Sequence, residues 1–242
     1  MNKWAEFLKT AQENLSFLLT CLAVFAALVL LAWAAEKLLK TPSRLGTAKT
    51  VSFIAMFSAI ASVLMLIEIP LFFAPGFYKM DLSEIPILIC TFYLGPVAGV
   101  VCEFVKIFLK LMLKGTSTAF VGDFANFAVG CALVLPASIV YHAKKTRKTA
   151  IIGLITGTAV MTVFGSFFNA VYMLPKFSQL YGMPMEAIIG MGTAVNSAIN
   201  SVTTLVLFAV VPFNLLKGVI VSILTLLLYK RVEKLFFRHK SA

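Results

Sequence analysis

The chain has 242 residues, of which 60% are hydrophobic and 13% charged, and its mean hydropathy is +0.96. Soluble domains run nearer roughly 45–50% apolar and about 25% charged, so this composition excludes a water-soluble globule and points to an integral membrane protein. The formal net charge of +11 comes from Lys and Arg gathered in short segments between apolar runs, a topological signature rather than the basic face of a nucleic-acid binder.

About 20 apolar residues cross a bilayer as a helix. The first such run covers residues 15–35 and is followed by Glu36, Lys37, Lys40, Arg44 and Lys49. Ala32-Trp33-Ala34 loosely imitates a signal-peptide cleavage site. However, the run is long for a signal sequence and its basic flank reads as a stop-transfer segment, so a retained helix is expected. The second run, 50–69, ends at Pro70, and residues 71–80 form a loop with Pro75-Gly76 as turn chemistry. Two shorter runs, 82–94 and 97–113, are joined by Gly95-Pro96; further runs cover 120–141 and 151–174, with a basic stretch at 142–148 between them.

The tail from 187 to 229 reads either as two spans broken at Pro212 or as one span after a re-entrant or surface helix. Basic segments favour the cytoplasm, which assigns 36–49, 142–148 and 230–240 to that side. Alternating crossings then put 70–81, 114–119 and 175–186 outside and leave one crossing near the end, expected at 212–229 with 187–211 folded back. Irregular backbone at membrane depth needs cover from protein or a cavity, so this topology implies a pocket near the outer surface, roofed by the loop after Leu174.

Intramembrane polar groups are costly and mark functional sites by default. Asp123 and Asn126 lie one turn apart near the outward end of one helix, with helix capping as an equal explanation for Asp123. Asn169 and Tyr172 end the next helix, and Asn214 and Lys217 open the last. Three helices thus carry hydrogen-bonding groups to one level, while Phe77, Tyr78, Phe168 and Tyr181 offer flat apolar contacts. Lys106, Lys110 and Lys114 form one helical stripe, read as salt-bridged and snorkelling, with Glu103 the partner of Lys106. Ala55 and Ala59, beside Ser58 and Ser62, let another helix approach closely, inside the bundle or from a partner.

Cys21, Cys90, Cys102 and Cys131 sit in apolar runs without metal-ligand spacing, so neither a disulfide frame nor a metal site is expected. His142 and His239, in basic segments, read as interfacial. The sequence contains no GxxxxGK[ST] phosphate loop, no HExxH and no nucleophile elbow, which argues against an enzyme and against ATP hydrolysis by this chain.

Six motifs carry a family resemblance: FYKMDLSEIPIL at 77–88, LGPVAG at 94–99, LKGTS at 113–117, GDFANF at 122–127, YGMP at 181–184 and PFNLLKG at 212–218. Over residues 49–234 the chain resembles the riboflavin-specific substrate-binding (S) subunits of energy-coupling factor (ECF) transporters. The resemblance implies an all-α integral membrane protein in a bacterial plasma membrane, with a six-helix bundle that holds riboflavin near the outer surface as cargo and uses no cofactor. It implies ligand contacts from Phe77, Tyr78, Lys79, Met80, Asp81, Asp123, Asn126, Asn169, Tyr172, Asn214 and Lys217. It also implies docking of a transmembrane coupling subunit on Ala55 and Ala59, with two cytoplasmic ATPases completing the complex. Residues 1–45, an extra N-terminal transmembrane helix and basic linker, precede the six-helix domain at 46–242 and would put the N-terminus outside and the C-terminus in the cytoplasm. FMN or another vitamin as cargo, with Lys79, Lys114 and Lys176 near the mouth, is the alternative within this fold; a membrane scaffold without cargo is the alternative outside it.

Overall fold

The structure is a computed structural model describing residues 3–41 and 46–236, with side chains described over 8–41 and 46–232; Arg44 and the basic residues beyond Phe236, His239 among them, lie outside the described residues. Helix α1 (Lys3–Glu13) leads into α2 (Leu15–Leu38), whose 24 residues carry the first apolar run. At 1.5 Å per residue that is about 36 Å, enough to cross a bilayer. Most of α2 is exposed, and its inward face packs on α5 and α6. Phe25 stacks on Phe104 with ring centroids 4.2 Å apart, Phe17 meets the edge of Phe124, and Ala32 is buried in the cluster of Val97, Val100 and Phe127.

Helix α3 (Ala48–Met65) opens at Thr47, whose hydroxyl accepts a hydrogen bond from the Thr50 N–H at 3.3 Å. It stops short of the expected residue 69, because Ile69 and Pro70 pair instead with Met80 and Lys79 in a two-residue antiparallel ladder. Helix α4 (Glu84–Leu94) follows, and only Tyr93 among its residues is not fully buried. A helix apolar on every side belongs in the centre of a bundle. At about 16 Å, α4 does not span a membrane, and it is enclosed by α3, α5, α6 and α11. Helix α5 (Pro96–Lys114) begins after Gly95, whose φ of +115° is open to glycine, with Pro96 at the first helical position.

Helices α6 (Val121–Lys144) and α7 (Arg147–Phe168) form the tightest antiparallel pair. Gly153 and Gly157 face the α6 backbone: a Cβ on Gly153 would lie 2.5 Å from the Ala137 carbonyl oxygen, and one on Gly157 still closer to that of Leu133. Small residues four apart are what such contact requires. His142, expected at the interface, is buried instead. Because α6 runs on to Lys144, His142 sits one turn after Ser138 with its ring Nδ1 2.9 Å from the Ser138 carbonyl.

Helix α7 continues through a π-helical turn (Asn169–Met173) into α8 (Leu174–Tyr181), and α9 (Met185–Thr193) lies across the same end. The last crossing comprises α10 (Val202–Leu205), a second π-helical turn (Val206–Val210) and α11 (Val211–Phe236). It therefore begins at Val202 and not at 212, and only 187–201 of the segment expected to fold back lies outside it. Both π turns end two residues before a proline, Pro175 and Pro212. The wider turn makes room for the ring and absorbs its missing N–H, so neither proline ends its helix.

Five helical stretches among the described residues are long and apolar enough to cross a membrane, and α4, which is short, together with the charged α5, completes the bundle. Exposed Leu30, Val163, Phe167 and Leu227 belong to the apolar surface that faces lipid. The protein is an all-α, multi-pass membrane protein.

Candidate functional site

The loops joining α3 to α4 and α5 to α6, together with α8 and α9, gather at one end of the bundle. With the neighbouring helix ends they line a half-open cavity of about 680 Å³, within the range of small-molecule sites. Its roof follows from turn chemistry. Pro75 bends the first loop, its carbonyl accepting from the Tyr78 N–H at 2.8 Å, and the short ladder returns the chain to α4. Tyr78 is thereby held against Phe213, with ring centroids 5.6 Å apart, and its hydroxyl donates to Asn169 Oδ1 at 2.9 Å. Burial raises the Tyr78 phenol above its ordinary pKa, so it remains a neutral donor.

The second loop is backbone-strained. Ala119 and Phe120 both have positive φ, at 46° and 70°, immediately before α6. Non-glycine residues hold this conformation only where the surroundings fix it. Here the Thr116 hydroxyl accepts from the Phe120 N–H at 2.9 Å and donates to Asp123 Oδ2 at 2.8 Å. Asp123 also takes Lys110 at 2.5 Å, so its carboxylate ties α5 to α6 and is not a side-chain cap.

Beneath the cavity lies a buried chain of alternating charge. Glu103 contacts Lys106 at 2.6 Å, Lys106 reaches Glu84 at 3.4 Å, Glu84 meets Lys217 at 3.1 Å, and Lys217 donates to Asp81 at 3.0 Å. The expected pairing of Glu103 with Lys106 is present. Glu84 lies in the first turn of α4, where the helix dipole favours a carboxylate. Asp81 is held well below the usual carboxylate range: burial opposes this, but Lys217, Lys106 and Ser83 outweigh it.

Nine of the eleven residues expected at the ligand line this cavity: Phe77, Tyr78, Lys79, Asp81, Asp123, Asn126, Asn169, Asn214 and Lys217. Met80 and Tyr172 are not among the lining residues. Met80 is buried in the ladder opposite Ile69, and Tyr172 stacks on Phe168, which itself turns to Phe124. Of the other expected aromatic contacts Tyr181 lines the cavity and Phe168 does not, while Phe177 and Phe213 were not foreseen. Glu68 and Lys110 were also missed as lining residues. Glu68 accepts from Lys79 at 2.6 Å and from Lys114, and these bonds, the Lys114 one foremost, lower its pKa.

Asn214 is the most telling group. It is 4% exposed, and its amide nitrogen has no hydrogen-bond partner among the described residues. Gly165 makes room for it, since a Cβ there would lie 2.9 Å from that nitrogen. A buried donor without a partner, on the wall of a cavity lined by both polar and apolar side chains, is a group prepared for a ligand.

A membrane helical bundle with a mixed polar and aromatic cavity bordered by loops at one end is a small-molecule-binding membrane protein. Residues 49–229 match the model of the ECF transporter, substrate-specific component family, and the chain belongs to that family. It is similar to the riboflavin transporter RibU of Staphylococcus aureus (strain TCH60), at 34% identity over 76% of this chain and 90% of that protein. The riboflavin transporter FmnP of Bacillus subtilis (strain 168) is 29% identical over 80% of this chain and 97% of its own length. A solved S component of a bacterial ECF transporter superposes with a TM-score of 0.61 at 35% identity, covering 78% of this chain and 98% of its own. Helices α1 and α2 precede the family match.

Proposed function

We propose that this chain captures riboflavin in the loop-end cavity and delivers it for ATP-driven uptake by partner subunits. The buried Asn214 amide, unpartnered on the cavity wall, is the observation that carries this reading; the family and the riboflavin transporters it resembles supply the cargo. Asn126, Asn169, Asn214 and Lys217 supply hydrogen bonds to the ligand's polar edge, and Phe77 and Tyr78 flank its ring system. Met80 acts through the ladder that it forms with Ile69 beside Lys79, and Tyr172 through its stacking on Phe168. Asp81 and Asp123 act by holding Lys217 and Lys110.

In this reading the protein sits in the plasma membrane of a bacterium. Lys37, Lys40, Lys49 and the 142–148 segment face the cytoplasm, as does the C-terminus, while the cavity and the N-terminus face outward. Residues 1–45 form an added anchor on the six-helix unit at 46–242. Ala55 and Ala59, both exposed on α3, receive a transmembrane coupling subunit, and two cytoplasmic ATPases supply the energy.

The test is the absorbance spectrum of the purified, detergent-solubilised protein. A co-purifying flavin band that is lost in Asn214→Leu supports the reading. A colourless, folded protein that takes up no added riboflavin overturns it. Lys217→Leu or Asn126→Leu, harmless in a scaffold, would damage a vitamin binder.

A further inference from the structure

We propose that the cavity selects an uncharged ligand over its phosphorylated form, and that Glu68 at the rim is the residue responsible. This rests on the flavin reading above and names the form of flavin taken.

Among the described residues three lysines line the cavity, and each is matched by a carboxylate. Lys79 is bound to Glu68 at 2.6 Å, Lys110 to Asp123 at 2.5 Å, and Lys217 to Asp81 at 3.0 Å and Glu84 at 3.1 Å. The lining acids are Glu68, Asp81 and Asp123, so the formal charge of the wall sums to zero, three against three. Lys114, just beyond the wall, also donates to Glu68. Of the three lysines expected near the mouth, Lys176 does not line the cavity, and Lys79 and Lys114 are held by one and the same carboxylate.

A phosphate monoester carries about −1.5 to −2 charges at neutral pH and binds best to free, convergent cations. Entering this rim, it must displace Glu68 from both lysines and then lie beside the displaced carboxylate. A neutral ligand meets no such opposition and can use the amides and hydroxyls deeper in. The pairs at the rim are half exposed, with Lys79 46% and Glu68 33% accessible, so their own attraction is modest. Selection comes from the like charge that Glu68 presents, together with its hold on both cations.

Glu68→Gln removes that charge and releases Lys79 and Lys114 to a phosphate. The test is fluorescence-quench titration of the solubilised full chain with riboflavin and with FMN at one ionic strength, for wild type, E68Q and E68Q/K114Q. Wild type is expected to favour riboflavin by at least about tenfold, E68Q to narrow that ratio by about tenfold through tighter FMN binding, and E68Q/K114Q to return part of the gap. A ratio unchanged in E68Q while riboflavin still binds overturns this inference alone. Wild type that prefers FMN overturns it as well. Wild type that binds neither flavin overturns the proposed function with it.

Discussion

Glu36, near the end of α2, caps the first turn of α5 through a residue 61 positions later: its Oε1 accepts a hydrogen bond from the Val97 N–H at 3.1 Å. Helix α5 opens on Gly95 and Pro96, neither of which brings a capping side chain, so a carboxylate from another helix satisfies an N–H there and meets the positive end of the dipole. Glu36 is buried, which makes the contact part of the packing rather than a surface ornament. Glu36→Ala should cost about 1–2 kcal/mol, on the scale of a lost helix cap, while Glu36→Gln, which keeps an acceptor, should cost less. Thermal unfolding of the solubilised variants checks the order; equal midpoints for Ala and wild type would mean that α2 merely lies against the bundle.

Asn214 separates affinity from stability. Its amide nitrogen has no partner to lose among the described residues, so Asn214→Leu should leave the thermal midpoint without riboflavin near wild type. It should weaken riboflavin by about 1–3 kcal/mol, roughly 5- to 150-fold. Gly165→Ala should act in the same direction by pushing the amide aside, since the new Cβ would come 2.9 Å from it. Parallel titration and unfolding of both variants measures the split.

Lys106 stands between Glu103 at 2.6 Å and Glu84 at 3.4 Å and is itself fully buried. Lys106→Met leaves two buried carboxylates without this cation and should destabilise by about 3–5 kcal/mol. Adding Glu103→Gln should recover a measurable part, a coupling of about 0.5–3 kcal/mol in a double-mutant cycle. Additive losses would show that the two side chains do not act as a pair.

The Glu68 clamp gives a pH dependence of known sign. Lys114 and Lys79 lower the Glu68 pKa from its ordinary 4.5, so the folded protein binds this proton less readily than the unfolded chain does. The contribution is fully present above the ordinary value and is lost as pH falls through the lowered one. The difference in thermal midpoint between wild type and Glu68→Gln should thus be present at neutral pH and close at acid pH. A constant difference would assign the effect to something other than this ion pair.

Local signals were the legible ones. The apolar runs gave most of the helices, the Gly95-Pro96 turn separated α4 from α5, and Glu103 with Lys106 was visible at three-residue spacing. Intramembrane polarity singled out Asn214, Lys217 and Asn126, all of which reach the cavity wall. Contacts between distant segments were not legible. Glu36 read as one charge in a basic flank because its target lies 61 residues on, and Glu68 was passed over because Lys114 is 46 residues away. Pro212 misplaced the start of the last span, since a proline's usual effect on a helix does not anticipate a π-helical turn before it. Depth and the family resemblance both point Tyr172 to the cavity; the widened turn at Asn169–Met173 stacks it on Phe168, off the lining.

Equilibrium titration of the purified wild-type protein with riboflavin, followed by quenching of flavin fluorescence, tests the central claim most directly. Saturable one-to-one quenching at nanomolar to micromolar riboflavin, weakened in Asn214→Leu, is the predicted result. A folded protein that leaves riboflavin fluorescence unchanged across that range would contradict it.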